Sequence, residues 1–406
     1  MSASKASLRF ILITVLLDVM GIGLMIPVLP SLIGDMTTSH DSQAYWYGAL
    51  ATTYGIMQFF CTPLLGALSD RYGRRPVLLL SIFGLGLSYV VTAFTHSLIL
   101  LLMTRLVSGA TGASFSVANA YVADITTHDE RGKAFGAVGA AFGVGFILGP
   151  MLGGMLGAID LRLPFMVAAG LSFLNFLYGY FVLPESLPLE RREPVTFKRA
   201  NPFGALSHLM QLKGVGGLVF VFACTVLAQF ILQNTWVLYT EFRFGWSPKQ
   251  NGMALFFVGL TSAVVQGVLM GKLLKTFGEK RLAMLGMASS GIIYICYGLT
   301  TNSMWLYFFI LANFMSFAAG PALQTIISKA ASEREQGLTQ GSLNAINSVM
   351  IIIAPLIGTF LLANVSHLPK EDWRMGITFF VCSSLQFLAV ILAVIHFRKV
   401  KQARQV

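Results

Sequence analysis

The chain has 406 residues, of which 55% are hydrophobic and only 11% are charged, and its formal net charge is +11. A soluble domain carries about 25% charged residues, so this composition excludes an ordinary water-soluble protein or enzyme. The positive charge needs no nucleic-acid partner, because a bias of Lys and Arg toward one face of a membrane explains it.

Apolar runs long enough to cross a bilayer recur along the whole chain, and we expect an all-α protein with twelve transmembrane helices. A span needs about 20 apolar residues, and continuous rather than alternating runs exclude a β-barrel. The first run is too long for a signal-peptide core, so we interpret it as a retained helix. The predicted spans are 8–29, 45–68, 76–95, 98–124, 134–157, 163–183, 214–240, 250–273, 282–300, 304–328, 337–363 and 374–397.

The Lys and Arg residues predict the orientation of these spans. Most of the 28 basic residues lie at the two termini or in the loops on the same side as the termini. That bias predicts a multi-pass protein of the cytoplasmic (inner) membrane with both termini in the cytoplasm. The opposite loops hold only Arg162, Arg243, Lys249, Lys370 and Arg374.

A polar stretch and an internal repeat divide the chain near its middle. Residues 184–213 are rich in Pro and charge, and we interpret them as a cytoplasmic linker between two six-helix halves, 1–183 and 214–406. Such a duplication is typical of secondary transporters. Two features recur at a displacement of 205 residues: Asn119 maps onto Gln324, and Gly66-x-Leu68-x4-Gly73 recurs as Gly271-x-Leu273-x4-Gly278.

The turn between the second and third spans, residues 66–76, is unusually charged. Its glycines permit a tight turn and close approach, and a proline suits the first turn of the next helix. Its acid can accept hydrogen bonds from the N-terminus of another helix, and its arginines can pair with an acid at a neighbouring helix end. Ordinary positive-inside charge is the alternative, but it does not explain the acid. We predict a cytoplasmic gate formed by Gly66, Asp70, Arg71, Gly73, Arg74, Arg75 and Asp124.

Two charged residues lie inside apolar runs. A carboxylate within a span costs roughly 2.5–3.5 kcal/mol, so Asp18 is a candidate proton carrier or partner of a cationic substrate. The alternative is a structural acid bonded to a neighbouring helix. Arg105 stays charged at any relevant pH and must face a cavity or an acid, unless its side chain reaches the nearer interface.

The fifth span carries glycines at a period of four residues, at 145, 149, 153 and 157. Such a stripe lets another helix approach backbone to backbone, and a proline beside it bends the helix. We interpret the stripe as a sliding contact between the halves, or as ordinary tight packing. The residues assigned to this motif are Gly145, Gly149, Pro150, Gly153 and Gly154.

Uncharged polar residues and aromatic residues within other spans predict a cavity for an amphipathic small molecule, although each amide can instead bridge two helices. The four cysteines form no CxxC pair, so we expect no metal and no cofactor. The sequence has no G-x4-G-K-[ST] motif, so we expect that ATP does not drive transport. The predicted cavity residues are Tyr54, Gln58, Asn119, Gln229, Phe230, Gln233, Asn234, Trp236, Gln266 and Gln324.

These motifs resemble those of the major facilitator superfamily over essentially the whole chain. The turn fits the family signature G-x-L-a-D-r-x-G-r-[RK]. A second signature matches Arg105-Leu-Val-Ser-Gly109-Ala-Thr-Gly112, for which the resemblance implies a role of Arg105 in proton coupling. A third, typical of the drug:proton antiporter branch, matches Gly145-Phe-Ile-Leu-Gly149-Pro150-Met-Leu-Gly153-Gly154.

Within that branch the chain resembles the tetracycline efflux proteins. The likeness covers the first helix (residues 17–30), the charged turn (70–80) and the end of the seventh helix (236–246). Three positions depart from the pattern, because the chain has Ser88 and Ser289 where those proteins carry acids and Ser262 where they carry a histidine. None of the three serines is titratable.

We therefore expect a proton-coupled antiporter that exports an amphipathic, tetracycline-like drug and works as a monomer. Its halves rock about a central cavity, and the charged turn latches the outward-open form. Two alternatives stay open. A proton-driven transporter of a small metabolite or siderophore differs in the direction of flux and in substrate, and a non-transporting receptor would show no substrate-linked proton flux.

Overall fold

The computed structural model describes residues 3–194, 216–330 and 336–403, and all regular structure in these ranges is helical, which confirms the predicted all-α class. Short 3₁₀ turns lie at Leu189–Arg191, Asn313–Met315 and Trp373–Gly376. The helices are α1 Ala3–Met25, α2 Leu29–Gly34, α3 His40–Tyr72, α4 Arg74–Phe94, α5 Leu98–Thr111, α6 Ser114–Ile125, α7 His128–Gly157, α8 Leu163–Val182, α9 Gly216–Phe244, α10 Pro248–Val264, α11 Met270–Leu299, α12 Met304–Ala312, α13 Ser316–Ala330, α14 Gln336–Val365 and α15 Ile377–Ala403.

Among the described residues, all helices except the six-residue α2 belong to twelve membrane crossings. In the described ranges, 10 stretches are long and apolar enough to span a bilayer. One of them, Pro248–Leu299, has 52 residues and makes two crossings, because the chain reverses at Gly278, where φ is +69°. Helix α3 supplies the remaining crossing, since its 33 residues reach across a bilayer although its N-terminal end is polar.

Two crossings are broken near their middle. Helices α5 and α6 form one crossing that is interrupted at residues 112–113, and α12 and α13 form another that is interrupted by the 3₁₀ turn 313–315. Where a membrane helix is interrupted, backbone N–H and C=O groups lose their hydrogen-bond partners within the helix. Such an interruption is tolerated only where protein or a polar cavity surrounds it. The breaks therefore lie where protein or a polar cavity shields the backbone from lipid.

The chain folds into two compact units. Among the described residues, unit 1 takes in residues up to 38, 49–194 and 246–256, and unit 2 takes in 39–48, 216–245 and 257–403. The start of α3 thus belongs to unit 2, and the start of α10 belongs to unit 1. The halves expected from the sequence, 1–183 and 214–406, take no account of this exchange, and the domain boundary stays a prediction.

Each unit has its own apolar core. In unit 1, α1, α4 and α6 bury large side chains such as Phe10, Ile82 and Tyr121. In unit 2, α9, α11 and α15 do the same around Phe222 and Met287. The predicted linker is described only as far as residue 194, and its remainder lies outside the described residues, as do Lys198, Arg199, Lys213, Arg334 and Arg404.

Candidate functional site

The intramembrane acid of unit 1 lies where three helices meet. Asp18 on α1 is within hydrogen-bonding reach of the Ser114 hydroxyl and the Asn175 side chain on α8. The Thr14 hydroxyl, one turn away on α1, donates to the Asn175 Oδ1 atom over 3.1 Å. Ser114 is the first residue of α6, so the carboxyl group also faces the positive end of that helix.

The intramembrane arginine lies on α5 and reaches toward α1. Arg105 is 4% exposed, and its Nη1 atom lies 3.1 Å from the Met25 sulfur, two helical turns from Asp18. Its side chain therefore remains inside the bundle and does not reach the interface. Tyr54 and Tyr89 lie within electrostatic range of both Asp18 and Arg105, so the two charges share one polar neighbourhood.

The glycine stripe of α7 packs on α1, the helix that carries the acid. A Cβ atom at Gly145 would lie 2.9 Å from the Leu16 carbonyl oxygen, and one at Gly149 would lie 2.8 Å from the Gly23 Cα atom. This end of the stripe therefore packs within the first predicted half, as ordinary tight packing would. Gly154 and Gly157 also meet the start of α10, at Pro248 and Gly252, which belongs to the predicted second half and to unit 1 of the structure.

The charged turn holds an ion-pair network in unit 1. The Arg74 guanidinium lies 2.6 Å from the Asp70 carboxylate and 3.1 Å from the Asp124 carboxylate, so the predicted pairing with Asp124 is present. The Ser69 hydroxyl accepts a third hydrogen bond from Arg74, at 2.6 Å. The Arg74 side chain is 12% exposed, whereas the Asp70 and Asp124 side chains are 37% and 22% exposed, so water screens these contacts in part.

An acid that the sequence did not single out caps the helix after the turn. The Glu185 carboxylate accepts hydrogen bonds from the backbone N–H groups of Arg74 and Arg75, at 2.8 and 3.2 Å. We expected Asp70 to accept hydrogen bonds from a helix N-terminus, but it lies in the last turn of α3 and forms an ion pair with Arg74. Gly73 has φ of +107°, and a Cβ atom there would collide with the Glu185 carboxylate.

The other members of the predicted gate lie at its edge. Arg75 donates to the Tyr180 carbonyl oxygen over 2.5 Å, and the Arg71 guanidinium lies 5.2 Å from the centre of the Tyr72 ring. A Cβ atom at Gly66 would meet nothing within 4 Å, so the close approach expected there is wrong for this conformation. The tight turn depends on the glycine at 73 alone.

The predicted cavity residues divide between the two units. Tyr54, Gln58 and Asn119 are half-buried in unit 1, and the Gln58 amide lies 3.4 Å from the Tyr54 hydroxyl. Trp236 is only 5% exposed and packs against Tyr297, with ring centres 5.2 Å apart, so it belongs to an aromatic core and not to a cavity wall. The remaining six, all in unit 2, are exposed or half-buried: Gln229, Phe230, Gln233, Asn234, Gln266 and Gln324.

Four residues of these networks escaped the sequence reading: Tyr89, Ser114, Asn175 and Glu185. Asn175 gave the same signal as the amides that were selected, a lone polar residue in an apolar run. The Gly109-x-x-Gly112 spacing was visible, but it did not by itself place a helix start at Ser114. Glu185 had no local signal, because its contact depends on the path of the chain after α8.

Comparison with known proteins adds relatives over nearly the full length. Residues 11–266 and 218–405 match the Major Facilitator Superfamily. The tetracycline resistance protein of class C from Escherichia coli is 42% identical over 89% of this chain and 90% of its own length. The class D protein from Salmonella ordonez is 38% identical over 90% of this chain and 92% of its own length. The human organic anion transporter MFSD10 superposes with a TM-score of 0.67 at 25% identity, covering 96% of this chain and 99% of its own.

Proposed function

The chain belongs to the Major Facilitator Superfamily, and we propose that it exports tetracycline-like, amphipathic drugs in exchange for protons. It is a multi-pass membrane transporter of a small-molecule substrate, not an enzyme. We place it in the cytoplasmic membrane with both termini in the cytoplasm, following the bias of its basic residues. We propose that one chain suffices for transport.

The position of Asp18 carries this proposal. The residue is an ionisable group inside a span, held by two neutral partners, with no salt bridge to it among the described residues, and it shares its neighbourhood with Arg105. An acid in such a position can gain and lose a proton without breaking an ion pair of its own. The tetracycline resistance proteins of classes C and D supply the substrate class, because they match the chain over about nine tenths of its length.

In the proposed cycle, protonation of Asp18 changes how α1 is held. The carboxylate is stabilised by the Ser114 end of α6 and by Asn175 on α8, and the neutral acid loses most of that stabilisation. Helix α1 can then shift along α7, because the glycine stripe between them has no side chains to interlock. Movement of α1 relative to α7 thus couples the proton to the opening of a cavity.

Arg105 keeps this neighbourhood positive when Asp18 is neutral, so a second cation is disfavoured there while the proton is bound. The charged turn, with Arg74 between Asp70 and Asp124, serves as the cytoplasmic gate. In this proposal its network is intact when the cavity faces outward and weakens when the cavity opens to the cytoplasm.

Serines at three positions where the tetracycline efflux proteins carry titratable residues limit the class of substrate that we propose. The buried Ser88 hydroxyl donates to the Thr104 carbonyl oxygen at 3.1 Å, and the Ser262 hydroxyl accepts from the Gln266 amide at 2.8 Å. Ser88 thus bonds to a residue of α5, and Ser262 bonds to a residue one helical turn away. Neither side chain carries a charge. We propose that amides such as Gln58 and Asn119 recognise the polar edge of the drug, and that neutral or zwitterionic drugs are preferred.

Everted membrane vesicles test the substrate and the direction of transport. With an imposed pH gradient, acid inside, and no ATP, vesicles containing the protein should accumulate labelled tetracycline, and collapse of the gradient should release it. Vesicles with an equal amount of folded protein that accumulate no tetracycline would refute this substrate. Loss of preloaded drug under the same gradient would instead favour proton-driven import.

A further inference from the structure

A polar cleft in unit 2 lies apart from every residue assigned to transport. It forms where the end of α9 meets the loops after α11 and before α15, and its volume is about 380 Å³. In the proposed orientation this end faces away from the cytoplasm. Its polar lining consists of Arg243, Thr301, Asn302, Ser303, Lys370 and Glu371.

One of these lining residues is fully buried. Arg243 is 2% exposed, whereas the lysine, the glutamate, Thr301 and Asn302 are exposed, so its guanidinium lies at the deep end of the cleft. Its Nη1 atom donates to the Tyr239 hydroxyl over 2.9 Å and to the Gly298 carbonyl oxygen over 2.6 Å. These two bonds fix the orientation of the guanidinium plane.

The opposite edge of that guanidinium is unsatisfied. The Nε and Nη2 atoms of Arg243 are buried, and neither has a hydrogen-bond partner among the described residues. These two atoms form the edge of arginine that donates two parallel hydrogen bonds to a carboxylate or a phosphate. A buried charge with two unpaired donors costs free energy, so this edge is suited to a ligand.

The nearby acids do not fill this position. Asp372 lies within electrostatic range, but both of its oxygens accept from Arg374, at 3.1 and 2.7 Å. Those bonds hold the pKa of Asp372 below its ordinary value, so the carboxylate stays ionised and engaged with Arg374. Glu371 is exposed on the cleft wall, and Lys370 beside it adds a second positive charge.

Unit 1 contains a matched arginine at the corresponding helix end. Arg162 donates from Nη1 to the carbonyl oxygens of Ala93 and Thr95, both at 2.8 Å, at the end of α4. Ala93 and Gly298 are 205 residues apart, the same displacement as the repeat. Both arginines therefore donate hydrogen bonds to carbonyl oxygens at the C-terminal end of equivalent helices, α4 and α11. This structural role explains the Nη1 bonds of Arg243 but not the orientation of its Nε and Nη2 atoms.

We propose that Arg243 binds a phosphate-type oxyanion in this cleft through its Nε and Nη2 atoms. Lys370 supplies further positive charge, and the hydroxyl and amide groups of Thr301, Asn302 and Ser303 can donate to the remaining oxygens. The phosphate belongs either to the headgroup of an anionic lipid or to a free anion. This inference does not depend on the transported substrate.

Binding to the purified full chain tests the proposal with two probes. Titration calorimetry in phosphate-free detergent measures inorganic phosphate, and native mass spectrometry measures retained dioleoyl-phosphatidylglycerol against a phosphate-free glucosyl lipid with the same acyl chains. The wild type should bind at least one of the two phosphate probes and should retain less of the glucosyl lipid. Binding of the lipid alone identifies a headgroup site, and binding of inorganic phosphate identifies a site for a free anion.

Three variants separate the site from its structural role. Arg243→Lys keeps the charge and one donor for Gly298 but loses the two-donor edge, and it should weaken binding about tenfold. Asn302→Asp leaves the arginine untouched, places a negative charge in the cleft and should also weaken binding. Arg162→Lys, the matched control, should bind as the wild type does. Absence of binding to both probes in the wild type, or equal binding by the wild type and the first two variants, would overturn the proposal.

Discussion

The two turns related by the repeat have the same backbone but different chemistry. Gly73 and Gly278, 205 residues apart, both have positive φ, at +107° and +69°. The residue after each glycine pairs with a side chain 50 positions later, yet the charges are inverted: Arg74 pairs with Asp124, and Glu279 pairs with Lys329. The two turns thus share an ion pair at the same spacing, with opposite signs.

The surroundings of the two pairs differ as well. Arg74 is 12% exposed and also contacts Asp70 and Ser69, whereas the Lys329 side chain is 67% exposed. The first turn is capped by Glu185, while a Cβ atom at Gly278 would meet nothing within 4 Å. Unit 1 therefore holds its turn through several contacts of one largely buried arginine, whereas unit 2 has a solvated ion pair, which contributes little stability.

The largest expected contrast comes from replacing the two glycines. Gly73→Ala places a side chain against Glu185 in a backbone conformation that only glycine adopts readily, and should cost about 3 kcal/mol of unfolding free energy. Gly278→Ala meets the same backbone strain without a collision and should cost about 1–2 kcal/mol. Apparent melting temperatures of the purified variants measure the order. Equal destabilisation by the two variants would show that the Glu185 contact is irrelevant.

Exchanging the charges of each pair should give the second largest contrast. Arg74→Glu with Asp124→Lys places a new carboxylate beside Asp70 and Glu185, and should cost about 2 kcal/mol despite the restored pair. Glu279→Arg with Lys329→Glu has no such neighbours and should change stability by less than about 0.5 kcal/mol. The melting temperature and the drug transport of the variant Arg74→Glu with Asp124→Lys should both fall. Full transport by that variant would argue against the network as a gate.

Removing the cation alone should have a smaller effect in each turn. Arg74→Ala leaves Asp70 and Asp124 without their shared partner and should cost about 1.5 kcal/mol, with impaired transport. Lys329→Ala removes an exposed partner and should cost less than about 0.5 kcal/mol. Drug accumulation in vesicles with matched amounts of protein provides the test. A stronger defect in the lysine variant would reverse the assignment of the gate to unit 1.

The helix cap should show the smallest effect. Glu185→Gln keeps an oxygen acceptor for the start of α4 but removes the negative charge near the helix N-terminus, at a cost of about 0.5–1 kcal/mol. Glu190→Gln, at an exposed position of the same stretch, serves as the control and should change nothing measurable. Identical melting temperatures for the two variants would show that the cap does not stabilise the turn.

Sequence patterns predicted those features that depend on local composition. Apolar runs located the spans, and the charge of the turn indicated Arg74 and Asp124, because residues at helix ends on one side of a membrane meet at one level. Trp236 was assigned to the wrong environment, since helical periodicity does not distinguish the wall of a cavity from an aromatic core. Glu185 and Asn175 were missed, because their contacts join parts of the chain more than 100 residues apart.

The break between α5 and α6 was also missed, although Gly112 stands at its start. Glycine is common in membrane helices, so its presence alone does not predict an interruption. The break places the start of α6 beside Asp18. Asp18 could therefore be identified from the sequence, whereas its partners Ser114 and Asn175 could be identified only from the structure.

Proton movement in everted vesicles tests the central claim, that Asp18 couples protons to drug export. Tetracycline added to acid-loaded vesicles should evoke proton efflux with the wild type and with Asp35→Asn, an exposed control on the same unit. Asp18→Asn should abolish the drug-evoked efflux while the protein stays folded. Efflux of normal size in Asp18→Asn would contradict the account and remove that residue from the coupling path.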